Sequence, residues 1–256
     1  GVHHTHYSIG IIPPFTMWSF LSVVAAGAVF GVAGMVFSVA TGKVSGIVKR
    51  CIKYAPLRPF CGGILIAVAV WFIGTDRYIG LGIPEIIRSF KEPVFPLDFM
   101  GKMSFTIVSL ATGFKGGEVT PLFYIGATLG NALAPLLHMP FAFMAGIGFV
   151  AVFAGAANTP LATTFMAMEL FGTEMAVFSA LGCFTAYLFS GHTGIYHAQR
   201  IGHAKSRKYR TLIPSDLRIS EISSARRKKY STLPLNENQI QKNQKNDKKV
   251  TMESSK

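Results

Sequence analysis

The residues best suited to chemistry are the six from Gly116 to Pro121, which read Gly-Gly-Glu-Val-Thr-Pro. Two glycines let a backbone approach a ligand closely, and Pro121 suits the first turn of a helix. The free N–H groups and the positive dipole end of a helix start bind anions without any cationic side chain. Burial favours the neutral, protonated form of Glu118, and Thr120 adds a hydroxyl donor. The segment predicts a small-anion site that also handles a proton; the alternative is a helix cap in which Glu118 complements the dipole.

Three further polar positions have both a functional and a structural interpretation. Tyr196 follows the glycine-rich break 191–194, so its phenol could donate to a ligand, or it could belong to an interfacial aromatic belt. Glu169 lies inside an apolar stretch, and we expect it to have a structural partner there. The sequence Asn158-Thr159-Pro160 indicates a helix cap with proline just inside the helix start.

An uncharged run surrounds these residues, because Val119 to Met168 contains no Asp, Glu, Lys or Arg over 50 residues. About 20 apolar residues suffice for one helical crossing of a bilayer, and a carboxylate at the mouth of such a run is costly. Prolines divide the run into pieces too short to cross on their own. Such broken helices are tolerated only where their ends are buried in protein or line a watery cavity. The pattern therefore predicts a multi-pass transporter or channel rather than a simple anchor.

The same reasoning divides the rest of the chain. We expect 1–16 to be a polar N-terminal segment, 17–201 a transmembrane region, and 202–256 a basic, disordered, cytoplasmic tail. Within the transmembrane region, 43–58 is predicted to be an amphipathic helix end or an interfacial turn. A last short segment is expected at 195–201. The predicted helical and apolar stretches are 17–40, 60–74, 84–90, 103–114, 119–134, 140–154, 158–171 and 173–190.

Composition limits the class of protein. Half the residues are hydrophobic and 14% are charged, and most of the +13 net charge belongs to residues 201–256, with 14 Lys and Arg against 5 Asp and Glu. The basicity is therefore that of a tail and does not indicate nucleic-acid binding. Cys51, Cys61 and Cys183 have no metal-ligand spacing and are predicted to be small core residues. We expect the protein to bind no metal and no cofactor and not to be an enzyme, since the sequence contains no nucleophile–base pair or phosphate loop. The His3–His6 run is interpreted as a solvated terminus.

Three motifs in order resemble the CLC family of chloride channels and anion/proton antiporters. The spacing of Gly116, Gly117, Pro121, Gly126 and Gly130 resembles that family's second-half anion-binding signature. The stretches 153–161 and 168–170 look like its following pair of helices. The stretch Gly191-His192-Thr193-Gly194-Ile195-Tyr196 resembles the one that carries its central tyrosine.

The resemblance implies an all-α, polytopic membrane fold: the second half of an inverted-repeat helical bundle, usually homodimeric, in a cell or plasma membrane. It implies an anion site formed by Gly117, Glu118, Val119, Thr120 and Tyr196, with Glu118 as the proton-coupling residue. The sequence Gly-Gly-Glu-Val-Thr-Pro is similar to the corresponding sequence of the fluoride/proton antiporter branch. We therefore expect fluoride export coupled to proton exchange, with a chloride channel or exchanger as the alternative.

One departure limits this expectation. The family's first repeat carries a Gly-x-Glu-Gly segment with a gating glutamate, and these 256 residues contain no such segment. We expect the chain to need the missing first repeat: it is the later part of something longer, one partner of a pair, or an incomplete gene product. An alternative of another class is a non-transporting scaffold or dimerisation half-subunit, because 156–190 resembles the family's dimer-contact region.

Overall fold

The computed structural model describes residues 7–196, 198, 199, 205 and 219. The chain divides into two compact units, residues 1–197 and 198–256. The described part is helical and contains no strand, so the all-α prediction is confirmed. The predicted disordered tail, apart from Lys205 and Ile219, and the His3–His6 run lie outside the described residues. The helices are α1 Met17–Cys51, α2 Leu57–Ile73, α3 Ile83–Ser89, α4 Asp98–Thr112, α5 Val119–Leu137, α6 Phe141–Ala157, α7 Pro160–Phe171 and α8 Ala176–Phe189.

The centre of the bundle is the antiparallel pair α5 and α6. Almost all of α6 is buried, as expected for a helix that is apolar on every side. The backbones of the pair touch at glycines: a Cβ on Gly126 would overlap the Gly148 carbonyl, and one on Gly130 would overlap the Met144 carbonyl. Close backbone approach through small residues is how helices associate in membranes. Phe123 stacks on Phe149 with ring centroids 4.1 Å apart and completes the contact.

Helix α1 packs on α6 and α8 in the same way. A Cβ on Gly27 would lie 2.8 Å from Thr185 Cβ, and one on Gly31 would lie 2.9 Å from Ala186 Cα. A Cβ on Gly34 would lie 2.9 Å from the Val152 carbonyl oxygen. The sequence predicts small-residue contact faces at these three glycines, and the structure confirms them. Since the contacts advance in the same direction on both helices, α1 and α8 are parallel.

The segment before α1 is more than a polar terminus. Its described residues, 7–16, are not helical, yet Ile9 is buried and Tyr7 packs among the rings of Phe90, Phe149 and Phe171. At the end of this segment Thr16 forms a capping box with Ser19 at the start of α1. The segment therefore closes one side of the core before the first helix begins.

Three helix boundaries differ from the predictions. Helix α1 continues to Cys51 instead of ending near residue 40, because no proline stands in its path until Pro56. Helix α4 begins at Asp98 instead of 103, because Asp98 and Lys102 are buried and each has hydrogen-bond partners outside the helix. Helix α5 passes through Pro135, which lies in its last turn and removes only one hydrogen bond from the helix.

The remaining differences are local. The predicted cap with proline just inside the helix start is confirmed, with Thr159 as the N-cap and Pro160 as the first residue of α7. Asn158 itself ends α6 in the left-handed conformation, with φ 58°. The predicted helix 173–190 starts as a 3-10 turn at Thr173–Met175. Cys183 is buried, as predicted, but Cys51 and Cys61 are exposed because their helices present those faces outward. Glu169 is exposed on α7 and forms no hydrogen bond or ion pair with another described residue, so the expectation of a structural partner is wrong for this part of the chain.

Candidate functional site

The predicted anion segment forms an exposed loop that leads into α5. Helix α4 ends at Gly113, which adopts φ 101°, and residues 113–117 are exposed. A Cβ on Gly116 or Gly117 would meet nothing within 4 Å, so the space into which a side chain would point is open at both residues. Glu118 occupies the position before the first helical residue and is half-buried. The loop therefore delivers a carboxyl group and an open backbone to a helix start.

The side chain of Glu118 does not cap α5. Its backbone is already helical, with φ −88° and ψ −17°, and its carbonyl oxygen accepts from the Leu122 N–H at 3.3 Å. The N–H groups of Val119 and Thr120 precede the first bond of the helical ladder, and Pro121 has no N–H to offer. The start of α5 thus presents backbone donors and the positive end of a 19-residue helix dipole.

The register of α5 and α6 determines what lies beside this helix start. Gly126 faces Gly148 and Gly130 faces Met144, so each step toward the start of α5 is a step toward the end of α6. Phe123 follows the same register, with a ring-centroid distance of 5.4 Å to Phe153. The first turn of α5 therefore lies at the end of the pair where α6 finishes.

The segment that carries Tyr196 is held at that same end. The Ile195 N–H donates to the Ala156 carbonyl oxygen at 3.0 Å, and Asn158 Nδ2 donates to the Thr193 carbonyl oxygen at 2.9 Å. Asn158 can do this because the left-handed conformation, which asparagine tolerates, turns its side chain away from the helix it ends. Tyr196 lies one residue beyond the anchor and is 47% exposed.

Four chain ends therefore meet at one end of the bundle: the start of α5, the end of α6, the start of α7 and the anchored segment 191–196. Two of them are helix N-termini, whose positive dipole ends favour a negative charge. The predicted residues Gly117, Glu118, Val119 and Thr120 are contiguous there, and the anchor holds the segment carrying Tyr196 against the end of α6. Among the described residues no group of three His, Cys, Asp or Glu side chains is arranged to hold a metal ion.

Sequence reasoning missed a second polar cluster, built on the first turns of α4. Asp98 is fully buried; its Oδ1 accepts from the Tyr78 hydroxyl at 2.7 Å and from Arg77 Nη1 at 3.3 Å. Burial, and then the hydrogen bond to Asp98, raise the pKa of Tyr78 to about 12. The available signal was the Asp98–Lys102 spacing, which puts an acid and a base on one face of an otherwise apolar helix.

Lys102 does not pair with Asp98, although the two are one helical turn apart. Its side chain is 1% exposed, and its Nζ donates to the carbonyl oxygens of Tyr78 at 3.1 Å and Gly80 at 2.6 Å. The same Nζ lies 5.2 Å from the centre of the Tyr124 ring on α5. Asp98 and Lys102 together fasten residues 77–80 to α4, and Lys102 joins that segment to the helix whose start forms the candidate site.

Known proteins are similar to this chain in sequence, and a solved structure is similar to it in fold. The chloride/fluoride channel protein of Pseudomonas syringae pv. tomato is 64% identical over 228 residues, which are 87% of this chain and 50% of that protein. An uncharacterized protein of Methanocaldococcus jannaschii is 29% identical over 136 residues, or 50% of this chain and 34% of that protein. The crystal structure of a CLC-type fluoride/proton antiporter matches with a TM-score of 0.74 at 32% identity, covering 77% of this chain and 50% of that chain.

The chain spans about half the length of the Pseudomonas relative and of the antiporter. In the part of the chain that the structure describes, two helices, α1 and α5, are long and apolar enough to cross a bilayer by length and composition, and the other apolar helices are shorter. The pattern of short, broken helices is confirmed. The voltage gated chloride channel family matches residues 2–191, which is most of the chain. This chain therefore belongs to that family, whose members are integral membrane proteins.

Proposed function

We propose that the chain forms one half of a pathway that exports fluoride in exchange for protons. The observation that supports the proposal is that segment 191–196 is hydrogen-bonded to the end of α6, and the register of the α5–α6 pair puts the start of α5 at that same end. Backbone donors, the Thr120 hydroxyl, Glu118 and the Tyr196 segment therefore belong to one end of the bundle. Fluoride is small and strongly hydrated, so strong donors must replace its water. A protonated Glu118 is such a donor, and it carries the exchanged proton as well.

The relatives support the choice of ion. The Pseudomonas relative is named for chloride and fluoride, and the matched crystal structure is that of a fluoride/proton antiporter. In the chain itself, Val119 is small and apolar, so the carboxyl group of the neighbouring Glu118 is the main polar side-chain group at the helix start. The pathway acts by binding and releasing ions rather than by chemical conversion, so the proposal is a transporter and not an enzyme.

The working unit is proposed to be a homodimer in a lipid bilayer, completed by the missing first repeat. Helices α7 and α8 expose several large apolar side chains, and these need a protein or lipid neighbour. They are Leu161, Phe165, Val177, Phe184 and Leu188.

The test is ion efflux from liposomes that contain a complete subunit, in which this chain is joined by a first repeat, read with fluoride and chloride electrodes and an internal pH dye. We expect fluoride release coupled to proton uptake. We expect Glu118→Gln to abolish this coupling, because the amide cannot take up and release a proton. The matched control is Glu169→Gln, which neutralises an exposed acid on α7. Coupled transport at the wild-type rate in Glu118→Gln would contradict the assignment.

The second candidate function is chloride transport, favoured by the name of the Pseudomonas relative, which includes both ions. The same liposomes distinguish the two. Fluoride release that exceeds chloride release supports the leading proposal, and a preference for chloride would replace it.

A further inference from the structure

Helix α1 extends beyond the bundle against which it packs. Its fully buried residues lie between Ser19 and Ser38 and its packing on the core reaches Val44, yet the helix continues to Cys51. The residues after Val44 add roughly 10 Å at 1.5 Å per residue. The uncharged part of α1 from Met17 to Ala40 already contains 24 residues, and about 20 suffice to cross the hydrocarbon core. The final turns therefore reach the level of the lipid headgroups or pass it.

This projecting end is amphipathic. At 100° per residue, Val44, Ile47, Val48 and Cys51 share one face, and Lys43, Lys49 and Arg50 lie on the other. Ile47 is 58% exposed, so protein does not cover the outer part of the apolar face. Helices of this kind place the apolar face among acyl chains and the basic face against headgroups.

The corner after α1 continues the basic face. Arg58 folds back so that its Nε donates to the Ile52 carbonyl oxygen at 2.8 Å and its Nη2 to that of Lys53 at 3.2 Å. These bonds hold the corner closed and leave Lys53 exposed beside Tyr54, which is 70% exposed. We call Lys43 to Arg58 the basic α1 end.

No acid offsets this charge nearby. Residues 1–75 contain no Asp or Glu, and all five Lys and Arg among them lie in the basic α1 end. In the part of the chain that the structure describes, no ion pair involves any of the five. The tail of this chain is a poor occupant for the surface, because residues 201–256 carry 14 Lys and Arg against 5 Asp and Glu. Like charges repel, so the fitting partner is an anionic surface.

We propose that the basic α1 end binds the phosphate groups of anionic phospholipids in the membrane that holds the protein. The helix length brings it to headgroup level, the amphipathic faces match the boundary, and its charge is complementary to that of the lipid. Each Lys or Arg near an anionic membrane surface contributes about 1 kcal/mol, so the loss of two charges weakens lipid binding roughly 30-fold. The proposal does not depend on which ion the protein transports.

The experiment titrates the full chain in neutral detergent with phosphatidylglycerol or phosphatidylcholine of identical acyl chains and counts bound lipid by native mass spectrometry. We expect the wild type to prefer phosphatidylglycerol and the double variant Lys49→Gln/Arg50→Gln to lose most of that preference. A second variant, Lys43→Gln/Lys53→Gln, tests the other exposed cations of the same surface and is expected to behave alike.

The matched control is Arg226→Gln/Arg227→Gln, which removes two charges from the basic tail. It is expected to keep the wild-type preference. Undiminished phosphatidylglycerol binding in both variants of the α1 end would overturn the proposal. An equal loss in the tail control, or equal binding of the two lipids by the wild type, would overturn it as well.

Discussion

Gly126 carries one of the tight contacts of the α5–α6 pair, and its replacement by alanine tests whether the backbones touch as described. The added Cβ would overlap the Gly148 carbonyl and lie 3.0 Å from Phe149 Cα, whereas ordinary contact begins at 3.4 Å. Neither neighbour is a side chain that can rotate away. The helices must therefore separate by roughly 0.5–1 Å, a gap that forfeits a quarter to a half of each affected contact.

Three effects decide the size of the change. Overpacking of this kind costs about 1–3 kcal/mol. Separation also weakens the stack of Phe123 on Phe149, and such pairs contribute about 0.5–1.5 kcal/mol. Alanine returns about 1 kcal/mol through its better helix propensity. The expected net result is a loss of about 2 kcal/mol of stability, and weaker anion transport because the α5 start moves relative to the end of α6.

The assay is unfolding in mixed micelles of a neutral detergent and dodecyl sulfate, followed by far-ultraviolet circular dichroism. The matched control is Gly46→Ala in α1, where a Cβ would meet nothing within 4 Å. That variant is expected to gain about 1 kcal/mol from helix propensity alone. The two substitutions should therefore differ by about 3 kcal/mol. A Gly126→Ala variant as stable as the wild type would refute the described register of α5 and α6.

Two further predictions concern buried polar side chains and use the same unfolding assay. Lys102→Met leaves the carbonyls of Tyr78 and Gly80 without their donor, so we expect a loss of about 2–4 kcal/mol, against no measurable change for the exposed Lys91→Met. Asn158→Gly keeps the left-handed backbone but loses the bond to the Thr193 carbonyl, so we expect a loss of about 1 kcal/mol. Asn158→Ala should lose more, because it adds left-handed strain. Equal stability of Lys102→Met and wild type, or of the two Asn158 variants, would contradict these accounts.

The helical architecture was predictable where the local signals are strong. Proline and glycine mark breaks whose physical basis is local, so the starts of α5 and α7 fall within two residues of their predicted positions. The small-residue faces of α1 were predictable for the same reason. The loop at Gly116 and Gly117 was predictable because two glycines, an acid and a proline stand together directly before a long uncharged run.

Other features depend on contacts that spacing does not reveal. Asp98 and Lys102 appear in the sequence as charges that end an apolar stretch, and only the fold shows that Arg77, Tyr78 and Gly80 satisfy them. The second role of Asn158 was not predictable for a similar reason. The sequence showed a cap at 158–160, which the structure has, but the partner of the Asn158 side chain is 35 residues away.

The most direct test of the central claim is fluoride binding to the purified chain, measured by ¹⁹F NMR. It reports on the site itself and does not require a complete pathway. We expect the wild type and Glu169→Gln to bind fluoride. We expect Thr120→Val, which keeps the shape but removes the donor, to bind it roughly 10- to 100-fold more weakly. Glu118→Gln should lose the proton uptake that accompanies binding. No fluoride binding by the well-folded wild type, or equal binding by wild type and Thr120→Val, would contradict an anion site at the start of α5.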